Sequence, residues 1–197
     1  MAYSEGFNPH PKISFGSALA VGVEGEREYV DIEVLSELSL AEVLGRLQEQ
    51  LPKGIRLLEG RVVENNAKAL MAVLNEACYR IRVPMTLPIG QERLAEAIES
   101  WLARESVDYV RYSKKGRTEK NIRLWVKTLV GTVQNDVIVF ELEVEIGNSG
   151  TVRPEEVIAS LRELEGLPLD IDNLTIKRTG IYVNSEGKSY SPLDQAL

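Results

Sequence analysis

The hydrophobic positions of this chain switch between two periods, and the switches mark its elements. Leu40, Val43, Leu44, Leu47 and Leu51 recur at the spacing of one helical face, and Ser39 with Glu42 three residues later supplies a capping box at the start. Leu94, Ala97, Ile98, Trp101 and Leu102 form a second stripe and predict a helix over about 91–103. A third helix opens at Pro154, whose fixed φ suits a first turn, with Glu155 and Glu156 at the positive end of the dipole. Its stripe is Val157, Ile158, Leu161 and Leu164, and Gly166 ends it. A further helical turn is expected around 67–74.

Strict alternation predicts the strands. Tyr29–Val34 puts Val30, Ile32 and Val34 on an inward face, and Tyr79, Ile81 and Val83 alternate with Arg80 and Arg82. Residues 122–130 and 137–146 read as the arms of a long antiparallel hairpin. With partner numbers summing to 268, Ile122 faces Ile146, Leu124 faces Val144 and Val126 faces Leu142. On the other face Arg123 then meets Glu145, Trp125 meets Glu143 and Lys127 meets Glu141, so one register serves both apolar burial and charge pairing.

Taken in order, residues 77–183 give strand, helix, strand, long hairpin, helix, strand. Residues 12–63 give strand, strand, helix and a closing strand over about 54–63. The expected class is α+β, as two tandem ferredoxin-like (βαββαβ) halves. The first, 1–64, is a ββαβ unit incomplete at its N-terminus; the second is 65–197.

Composition narrows the function. No apolar run in the 197 residues approaches the roughly 18 of a membrane helix, and Met1-Ala2-Tyr3-Ser4-Glu5 lacks the basic and apolar regions of a secretory signal. A cytoplasmic protein without a membrane partner is expected. Cys78 is the single cysteine, which excludes an intrachain disulfide and an all-cysteine metal or iron–sulfur site. There is no P-loop, no G-x-G-x-x-G, no H-E-x-x-H and no G-x-S-x-G. The formal net charge is −7, yet the segment 111–127 carries seven cations against Glu119 alone. Arg111, Lys114, Lys115, Arg117 and Lys120, interleaved with Tyr109, Tyr112 and Trp125, are candidate contacts to single-stranded RNA. A solvated hairpin accounts for the same residues equally well.

The opening is physically unusual. In Tyr3-Ser4-Glu5-Gly6-Phe7-Asn8-Pro9-His10-Pro11-Lys12, Gly6 permits a turn while Pro9 and Pro11 stiffen themselves and the residues before them. The result is a rigid loop that displays Phe7, Asn8, the only histidine His10, and Lys12. Such a loop holds polar groups at low entropic cost and is a candidate recognition element.

That run and the continuation to Gly16 closely resemble the bacterial radical-SAM-linked domain family, a family of unknown function. The likeness extends through Ala18–Val23, the Glu28–Glu33 strand, Leu70-Met71-Ala72, Lys177–Val183 and Ser191-Pro192-Leu193. Members of that family occur beside, or fused to, a radical SAM protein with a cobalamin-binding domain. The resemblance therefore implies a partner that carries the iron–sulfur cluster, S-adenosylmethionine and cobalamin, with no cofactor in this chain, which has no C-x-x-x-C-x-x-C motif. The family also has an upstream strand and helix with a Ser-His-Leu-Asp-like motif that this sequence does not include, and a truncated gene or fragment is the expectation. A looser likeness, of architecture alone, is to the CRISPR repeat-processing endoribonucleases.

The remaining chemistry is spare. His10 lacks an identifiable partner base, so recognition is the better reading than catalysis. Glu141, Glu143 and Glu145 share a strand face, where Arg123 and Lys127 explain them better than a cation does. Cys78 shares a face with Arg80 and Arg82, which could lower its pKa, although strand packing is the simpler account. The expected function is a non-catalytic accessory module of a radical SAM system that recognises RNA substrate. A metal-independent ribonuclease using His10 and a pure protein–protein adaptor are the alternatives. No catalytic residue and no metal ligand is assigned.

Overall fold

The strongest alternation in the chain forms the centre of a sheet. The structure is a computed structural model that describes residues 1–35, 38–64, 66–113, 116–147 and 150–194. Strand β4 (Glu76–Pro84) lies between β8 (Val137–Gly147) and β10 (Thr175–Ser185), antiparallel to both. Strand β7 (Val126–Gln134) continues the sheet beyond β8 as its outer strand. At the other end β11 (Lys188–Tyr190) and β2 (Val23–Gly25) both pair with β10, the first antiparallel and the second parallel. The chain is α+β.

Two helices cover one face. Leu94, Ile98 and Trp101 of α3 (Gln91–Leu102) and Val157, Ile158 and Leu161 of α4 (Pro154–Glu165) share a core with Ile81 of β4 and Phe140 of β8. The Trp101 indole donates to Ser160 Oγ at 2.9 Å, which joins the helices without leaving a buried donor unpaired. Helix α4 starts and stops as its sequence indicates: the Glu156 carboxylate accepts from the Arg153 N–H at 3.0 Å, and Gly166 takes φ 64°. Between α3 and β7 runs a separate hairpin, β5 (Asp108–Ser113) with β6 (Gly116–Asn121), followed by a 3₁₀ turn over Ile122–Trp125. A two-residue strand, β9 (Gly150–Thr151), pairs antiparallel with the end of β8.

The hairpin register differs from the one expected. Leu129 faces Leu142, Gly131 faces Phe140 and Gln134 faces Val137, so partner numbers sum to 271, with a bulge between Val126 and Thr128. The cause is local: Asn135 at φ 52° and Asp136 form a two-residue turn, and turn length sets register. Residues 122–125 leave the strand because the Asn121 side chain accepts from Arg123 N, capping the 3₁₀ turn. Arg123 consequently reaches the Leu102 and Val126 carbonyls rather than Glu145.

The N-terminal segment is built differently. Strands β1 (Ile13–Phe15) and β3 (Val30–Ile32) form a two-stranded ribbon, and α1 (Leu40–Gln50) carries the expected capping box. No residue of α1 is buried, although its stripe is apolar, and Val34 is exposed rather than inward. The closing strand expected over 54–63 is absent. The Gln48 side chain instead binds Ile55 O and Leu57 N, taking up backbone groups a strand partner would need. A single turn, α2 (Leu70–Val73), follows, where a helical turn was expected. A buried guanidinium ties this segment to the sheet: Arg178 of β10 donates from Nε and Nη2 to the two Glu28 carboxylate oxygens, and from Nη2 to the Ser17 carbonyl at 3.0 Å.

Candidate functional site

Backbone pairing closes the Ser4–Lys12 loop at its base. Tyr3 bridges Pro11, Ser4 N donates to His10 O at 2.8 Å, and His10 N donates to Ser4 Oγ at 3.0 Å. Lys12 N donates to Ala2 O at 2.8 Å, and the Lys12 ammonium sits 2.9 Å from Glu33. Gly6 at φ 127° supplies the one conformation that a side chain would strain. These contacts fix both ends, so residues 5–9 project with little freedom to lose.

The tip is apolar. Phe7 is 105 % exposed, and Asn8 and His10 are exposed beside it. Among the described residues the His10 imidazole has no hydrogen-bond partner, and no group of three or more His, Cys, Asp or Glu side chains is placed to hold a metal. A general base needs a partner within hydrogen-bond reach that orients it, and this loop offers none. The geometry suits contact with another surface.

The basic segment is dispersed rather than gathered. Arg111 reaches the buried Glu156 at 2.6 Å, and Arg117 pairs with Glu119 at 3.3 Å on its own strand. Arg123 stacks 5.8 Å from the Trp101 ring, and Lys127 leaves the hairpin to bind Glu76. Lys120 is half-buried on β6; Lys114 and Lys115 lie outside the described residues. Tyr112, opposite Arg117, is the exposed aromatic of this hairpin.

The uncovered face of the main sheet holds a cluster that periodicity alone does not reveal. Glu76, 3 % exposed, accepts from Lys127 Nζ and Ser189 Oγ, and from Asn184 Nδ2 at 3.0 Å. Burial pushes its carboxyl up, but those donors together prevail and hold it below the ordinary carboxylate value. Next on the same face, Cys78 is pushed up to about 12 by burial first and then by the Glu143 and Glu76 charges. Arg80 does not lower it, since its guanidinium is 2.7 Å from Glu141, and strand packing accounts for the residue. That environment disfavours the thiolate, the nucleophilic form of the side chain.

Over residues 1–154 the sequence matches the family described as an uncharacterized protein conserved in bacteria, DUF2344. The chain belongs to that family. The matched span of this DUF2344 chain includes the loop, β4, the β7–β8 hairpin and the first residue of α4. No curated protein matches the chain.

Proposed function

We propose that the chain is a non-catalytic recognition module that docks a partner protein through the Ser4–Lys12 loop. The observation that carries this reading is Phe7, fully exposed on a loop whose base is pinned by backbone pairing. A preorganised aromatic contributes contact area at small entropic cost, the character of an interface anchor. The partner we infer, from the sequence resemblance, is a cytoplasmic radical SAM protein that supplies the iron–sulfur cluster, S-adenosylmethionine and cobalamin. The strand order β10–β4–β8–β7 with α3 and α4 on one face supports a ferredoxin-like arrangement of residues 65–197, against which 1–64 is an incomplete second unit.

RNA recognition is the second reading, and the exposed Tyr112 opposite Arg117 favours it. It is weakened by the ion pairs and carbonyl contacts that engage Arg111, Arg123 and Lys127. One comparison tests both. Phe7→Ala should weaken binding of the purified radical SAM protein roughly 30-fold, the scale of an aromatic hot spot, without lowering the melting temperature. Unchanged affinity overturns the docking reading. Salt-sensitive binding of labelled single-stranded RNA that falls in Tyr112→Ala would establish the second reading instead, and RNA cleavage lost in His10→Ala would make the loop a ribonuclease site.

A further inference from the structure

The helix layer closes the outer rim of the main sheet. Gln91, in the first turn of α3, donates from Nε2 to Gly131 O at 2.8 Å and accepts at Oε1 from Val133 N at 2.9 Å. What stays open is the second face of the sheet, opposite α3 and α4. Ile81, Leu129 and Phe140 point into the core, so alternation sends Arg80, Arg82, Glu141, Glu143 and Val130 out on the other side. Val130 is 60 % exposed, and Thr128 and Thr132 beside it are exposed as well.

The charges on this face stand in cross-strand rows. Arg80 and Glu141 are register partners and pair at 2.7 Å. One row to one side is Arg82, opposite Val139, and one row to the other is Glu143, opposite Cys78. Each of those rows is about 7 Å from the Arg80–Glu141 pair. Neither Arg82 nor Glu143 has an ion pair among the described residues. A free cation and a free anion thus flank one point at equal distances, as a surface that complements its own copy requires. A two-fold axis lying across the strands at the Arg80–Glu141 row, midway between two stacked faces, reverses the order of the rows. Arg82 of one copy then stands over the Cys78–Glu143 row of the other, and Val130 over Val130. An axis along the strands would lay the Glu143 and Glu145 rows over themselves, like charge towards like. Charge therefore selects the first arrangement.

The area suffices. Four strands, β10, β4, β8 and β7, and the nine residues of β4 span roughly 600 Å² per copy, or about 1,200 Å² in total, the lower bound of a specific interface. Stacked sheets stand about 10 Å apart, a gap that arginine and glutamate close together. The net charge of −7 on each copy opposes association only weakly, because exposed charges more than about 8 Å apart are screened at physiological ionic strength. We propose that the uncovered sheet face is a self-association surface, on which two copies of the chain stack antiparallel about a two-fold axis with Arg82 of each answering Glu143 of the other. The surface is separate from the Ser4–Lys12 loop and its test does not depend on that loop.

Sedimentation equilibrium of the full chain from about 1 µM to about 200 µM should show a monomer–dimer equilibrium with a micromolar dissociation constant, the affinity of an interface at that lower bound. Arg82→Glu and Glu143→Arg should each weaken it at least about 30-fold, because symmetry makes every reversal twice and turns both attractions into repulsions. Neither side chain holds an ion pair within the chain, so both variants should melt at the native temperature. Mixed in equal amounts, the two variants should form a mixed dimer of near-native affinity, since every contact between them again joins opposite charges. A native chain that stays monomeric throughout that range overturns the proposal. So does a dimer indifferent to either reversal, a dimer lost in Phe7→Ala, or a mixture of the two variants that stays monomeric.

Discussion

Replacing Glu76 by glutamine separates charge from shape at the most buried carboxylate of the sheet. Glutamine keeps the outline but has one acceptor oxygen where three donors converge, from Lys127, Asn184 and Ser189. A hydrogen bond to a charged group contributes roughly 1.5–3 kcal/mol, and the loss here falls near the lower end, about 2 kcal/mol. The reason is Lys127, whose side chain is 35 % exposed and can turn to water, so no buried charge is stranded. Urea unfolding at neutral pH should show that loss. The pH dependence is the sharper test. The carboxyl is held below its ordinary value in the fold, so its stabilisation is complete above the unfolded pKa of about 4.3 and disappears as pH falls through the lower folded value. The gap between native chain and Glu76→Gln should therefore begin to narrow below about pH 4 and close only once pH is below the folded value. Equal stability at neutral pH, or a gap that persists unchanged into strong acid, would refute the role assigned to the charge.

Two further outcomes probe other parts of the fold. With its pKa pushed up to about 12, against roughly 8.5 for a free thiol, Cys78 should react with iodoacetamide at pH 8 some thousandfold more slowly in the native chain than in urea; similar rates would show that the thiol is not held protonated. Glu28→Ala leaves the buried Arg178 guanidinium without its carboxylate, facing only the neutral Ser17, Ala18 and Tyr79 groups, and should cost about 3 kcal/mol in urea unfolding. A loss below about 1 kcal/mol would mean that the N-terminal segment does not depend on that pair.

Helix positions were legible because their signals are local. Ser39 with Glu42 and Pro154 with Gly166 each mark an end within a turn of the backbone they terminate. The same holds for the Ser4–Lys12 loop, whose glycine, prolines and closing hydrogen bonds all lie within ten residues of one another. The hairpin register is harder to read for a different reason. Charge pairing across the hairpin considers one neighbour only, but β8 has two, and the cation that takes Glu141 comes from β4 on the other side. The Asn135-Asp136 turn, a two-residue signal, carried the decisive information.

What periodicity could not supply is the identity of distant partners. Alternation marks a strand without saying that β2 will lie along β10, some 150 residues away, or that Glu28 will meet Arg178 there. It marks α1 as amphipathic without naming a surface for it. The Gln91 amide belongs to the same class: in sequence it is the polar first residue of a helix, and only the fold sets it against Gly131 and Val133. Glycine at 131 is part of that arrangement, since a Cβ there would lie 2.8 Å from Ile98 Cδ1 and 2.9 Å from Leu94 Cδ2. The close seat of α3 under β7 thus depends on a residue with no side chain, and that seat brings the first turn of α3 within reach of the edge. The packing that completes the core on one face therefore also covers the rim of β7, where Leu129 is 3 % exposed and Gly131 is buried.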